Sequence, residues 1–201
     1  MPDMYIVPLT QPEVDEAVEL CIEAFRTDPM ERYLFPEEDN YIRSWRELGP
    51  HKFRHAMENG SCWRTEKREA VIRCLPPNVT PDPNRALWRE LMEKLVGSRM
   101  VYLNHLFGEI IPELRGNQPY YELSSIAVNP AVQNRGIGSS LLIKMQEIAQ
   151  QNNVPIHLIA SSVSNARLYN RHGFLHLQDL VIPNGPTLYA MCYQPGTPHA
   201  V

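Results

Sequence analysis

The spacing of apolar residues changes several times along the chain, and each change predicts an element. Residues 4–9 form a short apolar run closed by Thr10, Gln11 and Pro12, which predicts an opening strand followed by a helix start. Val14, Ala17, Val18, Cys21, Ile22 and Phe25 then recur at steps of three and four, one buried stripe of a helix that stops at Asp28-Pro29. Tyr41, Trp45, Leu48, Phe53 and Met57 predict a second helical stretch, kinked or split at Gly49-Pro50 and ended by Asn59-Gly60. Residues 61–66 and 69–75, parted by Lys67-Arg68, predict a hairpin whose second strand cannot pass Pro76-Pro77.

Between Pro77 and Pro119 the period is again helical. Leu87, Trp88, Leu91, Met92 and Leu95 form one inward stripe, Gly97-Ser98 breaks it, and Met100, Leu103, Phe107 and Ile110 form another. The stretch is too long and too periodic for a loop. Then follow a strand at 121–128, a turn and glycine loop at 129–138, and a helix at 139–152 with Leu141, Leu142, Met145, Ile148 and Ala149 inward. A strand at 155–162, a short helix at 164–172 stopped by Gly173, and strands at 174–182 and 187–193 joined by Pro183-Asn184-Gly185-Pro186 complete the chain. The C-terminal half is predicted as β-loop-α-β-α-β-β.

At 201 residues the chain suits a single domain, 1–201, around one hydrophobic core. Apolar and charged fractions of 43% and 21% are those of globular proteins and exclude a fibrous or low-complexity class. A net charge of −4 without a dense Lys/Arg run argues against nucleic acid as a partner. The first residues turn acidic before any long apolar run, and no stretch approaches spanning length, so a cytoplasmic protein with no membrane partner is expected. Cys21, Cys62, Cys74 and Cys192 are far apart, with no C-x-x-C, and read as small buried hydrophobes rather than metal ligands. His51 and His55 stand i, i+4 with no third ligand, and read as a solvated helix face.

The candidate chemistry lies where the strand at 121–128 runs through Gln133-Asn134-Arg135-Gly136-Ile137-Gly138 into a helix. Such a junction gathers unpaired backbone N–H groups at the positive end of a helix dipole, so it favours phosphate or pyrophosphate. Glycine there allows a positive φ and close approach of phosphate oxygens. The loop lacks the third glycine of a dinucleotide fingerprint and the Gly-Lys-Ser/Thr of a Walker loop. Taken by itself, Gly136-x-Gly138 favours a plain strand-to-helix turn, since a lone glycine motif is weak.

Set beside its surroundings, the loop resembles the main signature of the GNAT acetyltransferases. Ile126-Ala127-Val128-Asn129-Pro130 precedes Gln133-Asn134-Arg135-Gly136-Ile137-Gly138 as in that family, and the second signature is met by Asn165, Tyr169 and Gly173-Phe174. The resemblance covers residue 120 to the C-terminus well and the N-terminal half in outline. More narrowly, residues 155–196 are similar to puromycin N-acetyltransferase and related small-molecule enzymes, including the Pro-x-Gly-Pro hairpin. The resemblance implies a mixed α/β fold with a central, mostly antiparallel sheet flanked by helices, a helical insertion at about 80–115 and a cofactor-binding core at 120–193. It implies acetyl-CoA as cofactor, held by Ile126, Ala127, Val128, Gln133, Asn134, Arg135, Gly136, Ile137, Gly138, Ser139, Ser140, Asn165 and Tyr169.

By the same resemblance Tyr169 is the general acid for the departing thiolate, and Glu122 a candidate general base for the ammonium of the acceptor. Strand alternation puts Glu122, Ser124, Ile126 and Val128 on one face and Leu123, Ser125 and Ala127 on the other. The puromycin-type relatives carry an aromatic residue in place of Glu122 and a glutamate in place of Ile159, so acceptor recognition is expected to differ. Tyr120, Tyr121, His105, Glu109 and His157 are further candidates for lining the acceptor pocket. The expected activity is acetylation of a small-molecule amine by a monomer or homodimer. The alternatives are a protein or histone lysine acetyltransferase, and an acyl-CoA-binding sensor or a non-acetyl biosynthetic role.

Overall fold

A computed structural model describes residues 5–79, 82 and 84–196; Met4 of the expected opening strand lies outside them. Seven strands, β1 (Ile6–Pro8), β2 (Cys62–Thr65), β3 (Ala70–Leu75), β4 (Tyr121–Val128), β5 (Ile156–Ala160), β6 (Leu175–Val181) and β7 (Thr187–Tyr193), form one sheet in the order β1-β2-β3-β4-β5-β7-β6. Every neighbouring pair is antiparallel except β4 and β5. The β-loop-α-β-α-β-β order of the C-terminal half is as the sequence predicts.

Among the described residues eight α-helices cover the sheet. The stripe of α1 (Val14–Ala24) is buried at Val14, Ala17, Val18, Cys21 and Ile22. α1 stops at Ala24, before Asp28-Pro29, which instead opens a short α2 (Pro29–Leu34), because the Asp28 side chain accepts the Met30 and Glu31 amides at 2.9 and 3.2 Å and Pro29 takes the first helical position. The expected break at Gly49-Pro50 does not occur: α3 (Glu38–Glu58) runs through both residues. Burial of Leu48 and Phe53 on either side holds the helix together where proline removes one hydrogen bond. Gly49 serves the packing of α1 on α3, since a Cβ there would stand 2.8 Å from Val18 Cγ2.

The helical insertion consists of α4 (Arg85–Val96), α5 (Arg99–His105), a π-helical turn at Leu106–Ile110 and α6 (Ile111–Arg115). The wider π turn rotates the inward stripe, so Leu106 and Ile111 are buried while Phe107, expected inside, is 51% exposed. Leu87 is likewise exposed, and Val96, with Met92 and Leu95, carries the contact of α4 with the core. The helices α7 (Ile137–Asn152) and α8 (Val163–Arg171) follow β4 and β5.

Two clusters of buried apolar residues replace the single core that the sequence suggests. One packs residues from α1 to α6 against one face of the sheet, and the other packs α7 and α8 against the opposite face. All four cysteines are buried free thiols. His55 is also buried and does not sit on a solvated face. Among the described residues no helix is long and apolar enough to cross a membrane.

Candidate active site

The strands β4 and β5 pair only at Tyr121↔Ile156 and Glu122↔His157, although both run on for several residues. Beyond that point β5 is fully engaged with β7, so β4 and β5 diverge and the main-chain groups on their facing edges lack a ladder partner. A slot opens through the sheet between the two helical layers.

A bulge in β4 sets which side chains face which layer. Arg73 pairs Ser125 but the next residue, Cys74, pairs Leu123, leaving Ser124 as the extra residue. Alternation therefore reverses at Ser124. Tyr121 and Leu123 before it, and Ile126 and Val128 after it, all pack with the α7 layer, while Ala127 packs with the α1 layer. Glu122 thus lies on the opposite face from Ile126 and Val128, contrary to the simple alternation expected from sequence.

At the far end of β4, Asn129 Oδ1 accepts the Ala131 amide at 2.9 Å and Gln133 Nε2 donates to the Val128 carbonyl at 3.1 Å. Asn134 and Gly136 then adopt φ of 62° and 80°, bracketing Arg135 and delivering the chain into α7. A Cβ on Gly136 would meet nothing within 4 Å, so its backbone conformation, not packing, favours glycine there. The first amides of α7 have no intrahelical acceptors. Residues 133–136 are exposed, and the segment 129–140 contains Arg135 but no carboxylate. This cradle fits a diphosphate. Ser139 Oγ lies 2.9 Å from His172 Nε2, which ties the start of α7 to the end of α8.

Asp28, absent from the sequence-based candidates, is central to the slot. Besides capping α2, its second oxygen accepts the Ser161 hydroxyl just beyond β5, and Asn165 Nδ2 donates to Ser161 Oγ at 3.2 Å. Tyr169, one turn along α8 from Asn165, is half-buried and packs at 5.6 Å from the Phe174 ring. Burial, then the neighbouring Cys74 and Asp28, push its phenol above the ordinary value. Ser161 thus joins the α2 cap to Asn165, one turn before Tyr169 on α8. Sequence offered Asp28-Pro29 only as a helix stop, and Ser161 only as a strand end.

Glu122 is held by Arg115 at 2.6 Å, and Ser124 Oγ lies 3.4 Å from its other oxygen. Arg115 also stacks over Tyr120, whose ring stands edge-on to His157 at 5.1 Å. Burial, with Arg115 adding to it and Glu122 opposing, lowers His157 to about 4. Glu122, Tyr120 and His157 are therefore brought together. His105 and Glu109 instead pair with each other at 3.2 Å on an exposed turn, and Tyr121 is buried with its hydroxyl accepting from Asn152 at 2.9 Å. Ile159 packs against the α1–α6 cluster.

A second carboxyl that the sequence did not single out lies behind Asp28. Glu31 accepts the Trp45 indole N–H at 3.3 Å, and burial pushes it up to about 7 against the pull of Lys52. Burial also lowers Lys52, to about 8, and its ammonium sits 5.2 and 5.6 Å from the Trp88 and Trp45 ring centroids.

The family model described as Acetyltransferase (GNAT) family matches residues 40–174, and the chain belongs to that family of acyltransferase enzymes, whose members use acetyl-CoA as cosubstrate. Among solved structures the chain is similar to a histone acetyltransferase HPA2 and related acetyltransferase of Corynebacterium glutamicum, at 22% identity over 98% of this chain and 99% of that one, TM-score 0.65. It is also similar to the Drosophila melanogaster polyamine N-acetyltransferase, at 14% identity over 96% and 100% of the two chains, TM-score 0.65. Arylalkylamine N-acetyltransferase 2 from Aedes aegypti matches at 14% identity over 96% and 99%, TM-score 0.64. These likenesses establish the shared fold.

Proposed function

We propose that the chain acetylates the amine of a small molecule by direct attack of that amine on the thioester of acetyl-CoA. The observation that carries this reading is the hydrogen-bonded chain Asp28–Ser161–Asn165, which joins the α1–α6 layer to α8 one turn before Tyr169, where β4 and β5 have parted. The acceptor reaches Asp28 from one layer and the thioester reaches Tyr169 from the other. The nucleotide end then rests on the amides of residues 135–139, ahead of the Ser140 amide that donates to the Gly136 carbonyl, and the pantetheine arm runs along the unpaired edge of β4 at Ile126, Ala127 and Val128.

Acetyl-CoA supplies the activated acetyl group. The Asp28 carboxylate, oriented by Ser161 and by two α2 amides, takes a proton from the acceptor ammonium, directly or through the Ser161 hydroxyl. Unpaired β4 amides beyond the bulge polarise the acetyl carbonyl. Tyr169, kept protonated by its burial, gives its proton to the departing thiolate. Glu122 borders the acceptor side of the slot, but its ion pair with Arg115 favours a positioning role over proton transfer.

Fold neighbours named for polyamine and arylalkylamine acetylation support a small acceptor. The likeness to puromycin-type enzymes adds the Pro183-Asn184-Gly185-Pro186 turn to that support. A protein-lysine acceptor is the second reading, supported by the histone acetyltransferase neighbour. Thiol release from acetyl-CoA with amine and peptide panels, with products identified by mass spectrometry, tests the proposal. Acetylated small amines are expected; acetylation of peptides alone would overturn it.

A further inference from the structure

A cleft of about 550 Å³ opens one turn along α2 from Asp28, between α2, α5 and the β6–β7 turn. Arg32, whose amide donates to the Asp28 carbonyl at 2.9 Å, begins it; Tyr33, Ser98, Arg99, Tyr102 and Asn184 line much of the rest. Two of the lining side chains are cationic and none is acidic, in a chain whose net charge is −4.

Neither arginine is satisfied among the described residues. Arg32 stacks over Tyr41 and gives Nη1 to Glu38 at 2.9 Å, but Glu38 is shared with Arg26, and the buried Nε and Nη2 of Arg32 have no acceptor among the described residues. Arg99 makes no hydrogen bond or ion pair with any described residue, and its Nε is buried as well. The terminal nitrogens of Arg99 are not among those buried, and a guanidinium lining a cleft with no acceptor of its own offers a carboxylate or phosphate the fork geometry of arginine. The walls are fixed independently of those cations. Tyr102 spends its hydroxyl on the Val181 carbonyl at 2.8 Å, and Tyr33 packs where a Cβ on Gly185 would stand 2.8 Å from its ring.

We infer that the acceptor is an amine bearing a second, anionic group, which Arg32 and Arg99 seat in this cleft while the amine lies at Asp28. The inference rests on the amine-acetyltransferase reading above. One helical turn, about 5.4 Å, separates the start of the cleft from Asp28, so a short ω-amino acid or phosphorylated amine spans the two. A diamine would bring its far cation against two arginines.

The test compares matched acceptors on the full chain by thiol release: γ-aminobutyrate against putrescine, and O-phosphoethanolamine against ethanolamine. At least one anionic member is expected to exceed its partner at least tenfold in kcat/KM, and which one does separates carboxylate from phosphate. Arg99→Gln should raise KM for the anionic acceptor at least tenfold while KM for acetyl-CoA and the melting temperature stay unchanged. Arg99→Glu should shift preference toward putrescine. An anionic advantage below tenfold in both pairs, or an unmoved KM in Arg99→Gln, overturns the inference and leaves acetyl transfer standing. Turnover with no amine at all counts against acetyl transfer itself. Equilibrium binding of γ-aminobutyrate and O-phosphoethanolamine then decides the cleft: saturable binding lost in Arg99→Gln supports it, and no binding overturns it.

Discussion

Ser161 donates its hydroxyl to the Asp28 carboxylate across 133 positions of sequence, joining the end of β5 to the N-terminus of α2. The bond fixes one carboxylate at the slot where β4 and β5 part. Asn at position 28 can still cap α2 through its side-chain oxygen, so Asp28→Asn separates chemistry from structure. It is expected to lower kcat/KM by about 10²-fold or more with little change in melting temperature, whereas Asp28→Ala also costs about 1 kcal/mol of stability. Glu122→Gln, which loses the Arg115 ion pair, is expected to change KM for the acceptor but keep the acidic limb of the pH–rate profile. Loss of that limb in Glu122→Gln and not in Asp28→Asn would make Glu122 the base.

Tyr169 can be stripped of its proton donor without disturbing its contact with Phe174. Tyr169→Phe should therefore reduce kcat by about 10²-fold, the usual scale for a lost general acid, and leave the affinity for acetyl-CoA unchanged. Steady-state kinetics with a binding titration checks both halves; a wild-type rate removes the assignment.

Gly136 opens α7 at a φ of 80° with empty space where a Cβ would go. An alanine there fits sterically but pays about 1–2 kcal/mol of left-handed strain, which the loop can relieve only by turning its amides. Gly136→Ala is expected to raise KM for acetyl-CoA more than it lowers the melting temperature. Unchanged KM would mean that those amides do not hold the cosubstrate.

His157 is kept neutral in the folded chain, at about 4 against an ordinary 6.5. Between those values the unfolded chain binds more protons than the folded one, so stability is fully present above pH 6.5 and falls as pH drops through about 4. His157→Gln should flatten that part of the pH–stability curve. Chemical denaturation at several pH values measures it.

Much of the architecture was legible because periodicity and turn residues act locally: the α1 stripe, the Asn59-Gly60 stop and the whole C-terminal order needed no tertiary knowledge. What local pattern could not carry was decided by packing between distant segments. Continuity of α3 through Pro50 depends on α1 lying against Gly49, and the inward stripe after α5 was misplaced because a π turn changes the period. The Gly136 loop, Asn165 and Tyr169 were readable as motifs. Glu122 was placed on the wrong face because a bulge at Ser124 leaves no mark in the alternation. Asp28 was read as punctuation, since only the fold brings Ser161 to it.

The most direct test is a crystal structure of the chain with coenzyme A. The account predicts the diphosphate on the amides of residues 135–139, the pantetheine arm along β4, and the sulfur in the slot within reach of the Tyr169 hydroxyl. A thiol ending outside the slot between β4 and β5, or a diphosphate away from the start of α7, would contradict it.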